Sequence, residues 1–116
     1  MKRFIQKGRY GERLAVFYLE SWDFTILECN YKFSYYEIDI IACSGNILHF
    51  VEVKTRSDTR YGYPEESVSR KKTEHILKAA EYYLHAHPQW KRVNFDIISI
   101  ITGNGNTEVL FIQDVF

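Results

Sequence analysis

Glu37-Ile38-Asp39 and Glu52-Val53-Lys54 lie on either side of an apolar stretch that has Ser44-Gly45-Asn46 in its middle. Acids accompanied by a lysine at this spacing suit one kind of chemistry. The carboxylates hold a divalent cation, and the amine beside them handles a proton or stabilises developing charge. Side chains on a strand alternate faces with period two. Glu37 and Asp39 are therefore expected on one face of their strand, and Glu52 and Lys54 on one face of theirs. An antiparallel hairpin turning at Ser44-Gly45-Asn46 brings Asp39, Glu52 and Lys54 together if its register aligns those faces. Carboxylates so packed repel by about 4 kcal/mol per pair at ~4 Å and an effective dielectric near 20. A small domain has only roughly 5 to 15 kcal/mol of stability in all. Lys54 offsets one negative charge but not three. A hard cation with oxygen ligands, Mg²⁺ or Mn²⁺, is the compensation that suits such a cluster.

An E-x-K triplet alone is also what a solvated strand face looks like. The neighbours argue for more. Ile38, Ile40 and Ile41 on one strand, and Ile47, Leu48, Phe50, Val51 and Val53 on the other, predict a sheet covered on both faces, in which acids need a reason to be present.

The elements that must position these residues follow from periodicity. Leu14, Ala15, Phe17 and Tyr18 recur at spacings of three and four, with Glu12, Arg13 and Glu20 opposite, and predict a helix from about Ile5 to Ser21. Strands are expected over Phe24–Phe33, Glu37–Ser44 and Ile47–Thr55 as a meander. Arg56–Ser67, with Ser57, Asp58, Gly62 and Pro64, reads as a loop beside the site. A second helix runs from about Ser69 to His85, with Ile76, Leu77, Ala79, Ala80, Tyr83 and Leu84 as its apolar face and Pro88 just beyond. Val93–Thr102 and Thr107–Gln113 are the last strands, joined through Gly103-Asn104-Gly105-Asn106. The order α-β-β-β-α-β-β, with the second helix as a crossover, gives an α/β fold: a mixed sheet with a helix on each face.

At 116 residues, 46% of them hydrophobic and with no repeat or linker, the chain reads as a single domain with a core of its own. The formal net charge is zero, so any nucleic-acid role must rest on a local basic patch. Cys29 and Cys43 fall in different strands and out of register, so they are expected as free thiols, which suits a reducing cytoplasm. Met1-Lys2-Arg3 leads into no apolar signal region, and no run of apolar residues is long enough to span a membrane.

Arg70-Lys71-Lys72 fall in the first turn of the second helix, where the macrodipole disfavours cations and free amides suit a phosphate. With Arg56, they are candidate nucleic-acid contacts. The plain alternative is a solvated run paired with Glu65, Glu66 and Glu74. Tyr35, Tyr36, Tyr61 and Tyr63 are placed to stack on unpaired bases or to cover the edge of the core. His49, His75, His85 and His87 show no spacing that unites them with the acids, and no role is assigned to them.

Three blocks taken together resemble a known family. They are Gly8-Arg9-Tyr10-Gly11-Glu12 with Ala15, Tyr18 and Leu19; Glu37-Ile38-Asp39; and Phe50 through Arg56, followed by Gly62, Pro64, Val68, Lys71, Ala79, Ala80, Tyr83 and Leu84. This is similar to the YraN-like family of small bacterial proteins, which resemble PD-(D/E)XK nucleases and archaeal Holliday-junction resolvases. The resemblance implies a restriction-endonuclease-like fold in which an acid of the first helix, by position Glu12, joins Asp39, Glu52 and Lys54. It implies Glu37 as an extra acid and Lys71 as a further basic contact. The chain departs from the family pattern at Tyr36, where a glycine is usual, and at Asn94, where an arginine is usual.

The function expected is metal-dependent hydrolysis of DNA phosphodiester bonds, on a branched or otherwise structured substrate and with a homodimer as one arrangement. Asp39 and Glu52 would hold Mg²⁺ or Mn²⁺, with Glu12 as an added ligand. Lys54 would orient water or stabilise the transition state. The alternatives are a non-catalytic nucleic-acid-binding module of the same fold acting with a protein partner, and a purely structural role.

Overall fold

A computed structural model describes residues 10–56, 70–103 and 105–115. Among these residues, two helices and five strands follow in the expected order: α1 (Tyr10–Ser21), β1 (Thr25–Phe33), β2 (Tyr36–Ser44), β3 (Ile47–Arg56), α2 (Arg70–Ala86), β4 (Arg92–Gly103) and β5 (Asn106–Ile112). The strands lie in sequence order across one sheet. β3 and β4 pair in parallel through the α2 crossover, and the other neighbours are antiparallel. The α/β mixed sheet with helices on both faces is thus the observed architecture. The part of the first helix expected before Tyr10 and the loop over 57–69, Tyr61 and Tyr63 included, lie outside the described residues.

Each face of the sheet is closed by one helix. Ala15 and Leu19, four apart on α1, pack with Ile40, Ala42, Val51, Ile98 and Ile100. Ile76, Ala79, Ala80 and Tyr83 of α2 pack with Ile38, Ile41, Leu48 and Phe50. The apolar stripes are narrower than expected: Phe17 is 74% exposed and Leu77 points outward as well. Both are one step round the helix from residues that do face the sheet. Among the described residues, no helix is long and apolar enough to cross a membrane.

The β2–β3 hairpin turns where expected. Ser44 pairs with Ile47, and Gly45 takes φ 61°, the left-handed conformation that glycine adopts without cost. β1 and β2 contain a feature that strand periodicity does not anticipate. Cys29 and its partner Ile40 pack under α1, whereas Tyr31 and its partner Ile38, two residues away, pack under α2. The two strands exchange faces together at Asn30 and Asp39. Asn30 makes this possible by adopting φ 54°, a left-handed conformation that asparagine tolerates better than most residues.

Histidine spacing gave no role to His49, and here the structure adds one. His49 is buried, and its Nδ1 lies 2.6 Å from Oδ2 of the equally buried Asp96. Oδ1 of Asp96 accepts the Asp114 backbone N–H at 2.8 Å, fastening the chain after β5 to β4. Cys29 and Cys43 are free thiols, on opposite faces of the sheet.

Candidate functional site

Between β2 and β3 the ladder runs from the turn only as far as Ile40 and Val51. β3 then continues along β4 to Arg56, while β2 follows β1 away. The face exchange at Asn30 and Asp39 occurs at this fork. Asp39 is the first residue past the last rung, and its Oδ2 accepts the Val53 backbone N–H at 2.8 Å. A side-chain carboxylate thus stands where a strand carbonyl would otherwise complete the ladder.

Glu52 lies across the fork from Asp39. It is only 6% exposed, and its Oε2 is reached by two ammonium groups: Lys72 Nζ at 2.9 Å and Lys54 Nζ at 3.6 Å. Glu52 and Lys54 share a face of β3, as their spacing requires. Among the described residues, no ammonium group lies within ion-pair distance of Asp39. Burial, followed by the charge of Glu52, pushes its carboxyl up to about 8; the Val53 N–H pulls the other way, Glu12 adds to the rise and Lys72 opposes it.

Glu12, in the first turn of α1, supplies the third acid. α1 starts close to β3 because Gly11 has no side chain: a Cβ there would stand 2.3 Å from Thr55 Oγ1. Gly11→Ala is therefore expected to cost about 1 kcal/mol in a thermal or urea melt. In a Thr55→Ala background the same change should be neutral or stabilising, because alanine then contributes its helix propensity without a clash. Equal effects in both backgrounds would remove this account of the close approach.

Asn30 links Glu12 to Glu37. Its Nδ2 donates to Glu12 Oε1 at 2.9 Å and to Glu37 Oε2 at 3.0 Å, and Glu37 also has Lys32 at 3.9 Å. The extra acid thus stands beside Glu12 through a shared amide. Sequence reasoning did not mark Asn30; the available signal was an asparagine in the middle of a nine-residue strand, where that residue is disfavoured. Among the described residues, no three acidic, imidazole or thiol groups are already drawn together as a ligand set. What converges is Asp39 and Glu52, with Glu12 close enough to act on Asp39 electrostatically.

The basic residues divide. Lys71, expected as the further basic contact, is exposed, and Lys72 is the residue at the acids. The reason is helical phase. Lys72 continues the Ile76, Ala79, Ala80 and Tyr83 stripe one turn toward the N-terminus, so its stem runs along the sheet and its head reaches Glu52. Burial works against the Lys72 charge, but the hydrogen bond and charge of Glu52, with Asp39 and Glu37, outweigh it and leave the ammonium held above its ordinary value. Arg56 ends β3, and Arg70 opens α2. Of the aromatics named for stacking, Tyr35 is 95% exposed, while Tyr36 packs against Phe33 and His75. Burial, then the charges of Glu12, Glu28, Glu20 and Asp39, pushes the Cys29 thiol up to about 11, which keeps it protonated and a poor nucleophile.

The family model of the uncharacterised protein family UPF0102 matches residues 11–100, a span that holds both arms of the fork, all of α2 and all of α1 but Tyr10. The chain belongs to UPF0102. A UPF0102 protein of Christiangramia forsetii is 42% identical over 109 residues, covering 94% of this chain and 92% of the relative. One from Persephonella marina is 46% identical over 99 residues, 84% of this chain and 85% of the relative. Another, from Dictyoglomus turgidum, is 50% identical over 95 residues, 81% and 80% of the two chains. This is the YraN family that the sequence blocks resemble, and the UPF0102 match includes Glu12, Asp39, Glu52, Lys54 and Lys72.

Proposed function

We propose that this protein is a metal-dependent nuclease that hydrolyses DNA phosphodiester bonds, with branched or otherwise structured DNA as its substrate. One observation carries the reading: the Asp39 carboxyl is fixed by a backbone N–H at a strand fork and pushed up to about 8 beside the buried Glu52, with Lys54 on the same arm. Such a site destabilises a fold unless a ligand repays it, and perturbed acids of this kind mark functional sites.

The donor set fits a hard divalent cation. Mg²⁺ is commonly bound through one or two carboxylates, with waters and phosphate oxygens completing the shell, so a preassembled set of three protein ligands is not required. Asp39 and Glu52 would hold the ion, with Glu12 reaching it directly or through water. When bound, Mg²⁺ or Mn²⁺ supplies an acidified water and charge neutralisation at the scissile phosphate. Lys54 orients the attacking water and donates to the oxygens on which negative charge develops. Arg56, Arg70 and Lys71 hold the DNA backbone on the side where α2 begins. A cytoplasmic location accords with the free thiols Cys29 and Cys43.

The test is a panel of supercoiled, linear, single-stranded and four-way-junction DNA incubated with Mn²⁺, Mg²⁺ or EDTA. Cleavage of at least one member with metal, absent with EDTA and reduced at least about a hundredfold in Lys54→Ala, is the expected result. Salt-sensitive binding with no cleavage under any of these conditions would replace the nuclease with a binding module that works beside a partner protein. A homodimer would cut both strands of a junction symmetrically, which the same gels read.

A further inference from the structure

Among the described residues, the ammonium nearest the buried acid comes from neither arm of the fork. Lys72 reaches Glu52 Oε2 at 2.9 Å, closer than Lys54 at 3.6 Å, although Lys54 is on the same strand as Glu52. Its side chain is still partly open to solvent, 40% against 7% for Glu52, so the head has a route outward that Glu52 lacks. It also sits in the first turn of α2, where the helix dipole disfavours a cation; Glu52 is what compensates that position. Lys54, on β3 beside Glu52, is both farther from Oε2 and less open to solvent, with 26% of its side chain exposed.

We infer that Lys72 is the resident counter-ion of Glu52, so that a divalent cation and the Lys72 ammonium compete for the same carboxylate. This rests on the metal-binding reading given above. A divalent ion on Glu52 places two further positive charges within a few ångströms of the Lys72 head, and the ammonium swings out along its solvent route. Once out, it stands with Lys71 at the N-terminus of α2, where backbone N–H groups already favour a phosphate oxygen. Occupation of the acids by a cation and capture of a phosphodiester at α2 are thereby linked. Each event removes a charge conflict that opposes the other, so the coupling is reciprocal.

The test measures Mn²⁺ affinity without DNA, by calorimetry or by the electron paramagnetic resonance signal of the free ion. Lys72→Met, which keeps the stem over the core, is expected to bind Mn²⁺ roughly tenfold more tightly than the unaltered protein, because a unit positive charge near the ion is removed. Lys72→Arg retains that charge and should bind as the unaltered protein does. In a Glu52→Gln background the Lys72→Met gain should vanish, since nothing is left to compete for.

Unchanged or weaker Mn²⁺ binding in Lys72→Met, when the unaltered protein binds the ion, overturns the competition and leaves the nuclease reading standing. Tighter binding in Lys72→Met, with no cleavage of any DNA by the unaltered protein, supports the competition and overturns the nuclease. Absence of Mn²⁺ binding in every variant overturns both. A circular dichroism melt of each variant in the absence of metal establishes that the fold is intact before affinities are compared.

Discussion

Asp39→Asn is expected to yield a protein that is more stable and inert. In the absence of divalent ions at pH 8, its melting temperature should exceed that of the unaltered chain by ~5 °C or more, and Mn²⁺-dependent cleavage should fall at least about a hundredfold. The amide oxygen still accepts the Val53 N–H, so the fork keeps its hydrogen bond while losing a charge that burial and Glu52 oppose. The direction with pH follows from the raised carboxyl. Between the ordinary aspartate value near 4 and about 8, the folded chain keeps a proton on Asp39 that the unfolded chain has already released. The unfolded state binds fewer protons across that window, so stability falls as pH rises through it and levels off above about 8. This slope should flatten in Asp39→Asn.

Cation binding runs in the opposite direction. The carboxylate must lose its proton to act as a ligand, so Mn²⁺ affinity should climb with pH up to about 8, with proton release on binding. Mn²⁺ should therefore raise the melting temperature of the unaltered protein more at pH 8 than at pH 6, and leave that of Asp39→Asn unchanged. Parallel pH–stability curves for the two proteins would refute the claim that Asp39 sits under electrostatic load.

The second large effect lies away from the site. Asp96→Ala should destabilise the fold by about 3 kcal/mol, seen as a lower urea midpoint with an unchanged m-value. The substitution strands the buried imidazole of His49 and removes the acceptor of the Asp114 N–H in one step. Replacing both members, His49→Leu with Asp96→Leu, is expected to cost less than Asp96→Ala alone, since the penalty comes chiefly from leaving one polar partner buried without the other. A single variant within about 0.5 kcal/mol of the unaltered protein would mean that the pair contributes little to the fold.

Local pattern was enough to mark out the elements. Apolar runs on either side of Ser44-Gly45-Asn46 placed β2 and β3, and a stripe at Ile76, Ala79, Ala80 and Tyr83 placed α2. Those runs also drew notice to Asp39, Glu52 and Lys54, because charged groups inside apolar strands conflict with their neighbours, and such a conflict is visible residue by residue. Glu12 came instead from the resemblance, since nothing in the α1 pattern distinguishes it from Arg13 or Glu20. The same rules erred where the chain leaves its regular geometry or where phase matters. Period two fails at Asn30 and Asp39, where one left-handed residue rotates both strands to the other face. Lys71 and Lys72 look alike in a run of cations, and only the 100° step between them separates an exposed side chain from one that reaches Glu52.

The chain's own order of residues set which segments are helix and strand and which charges are out of place among them, because those properties depend on neighbours a few positions away. Tertiary structure decided which charges meet. His49 and Asp96 find each other across 47 residues, Asn30 links an acid of α1 to one of β2, and Lys72 crosses from α2 to a carboxylate of β3. These contacts depend on strand register, helix phase and the point at which β2 parts from β3. Those are set by how the whole sheet packs between its two helices, a balance of many weak contacts that no short window of sequence contains.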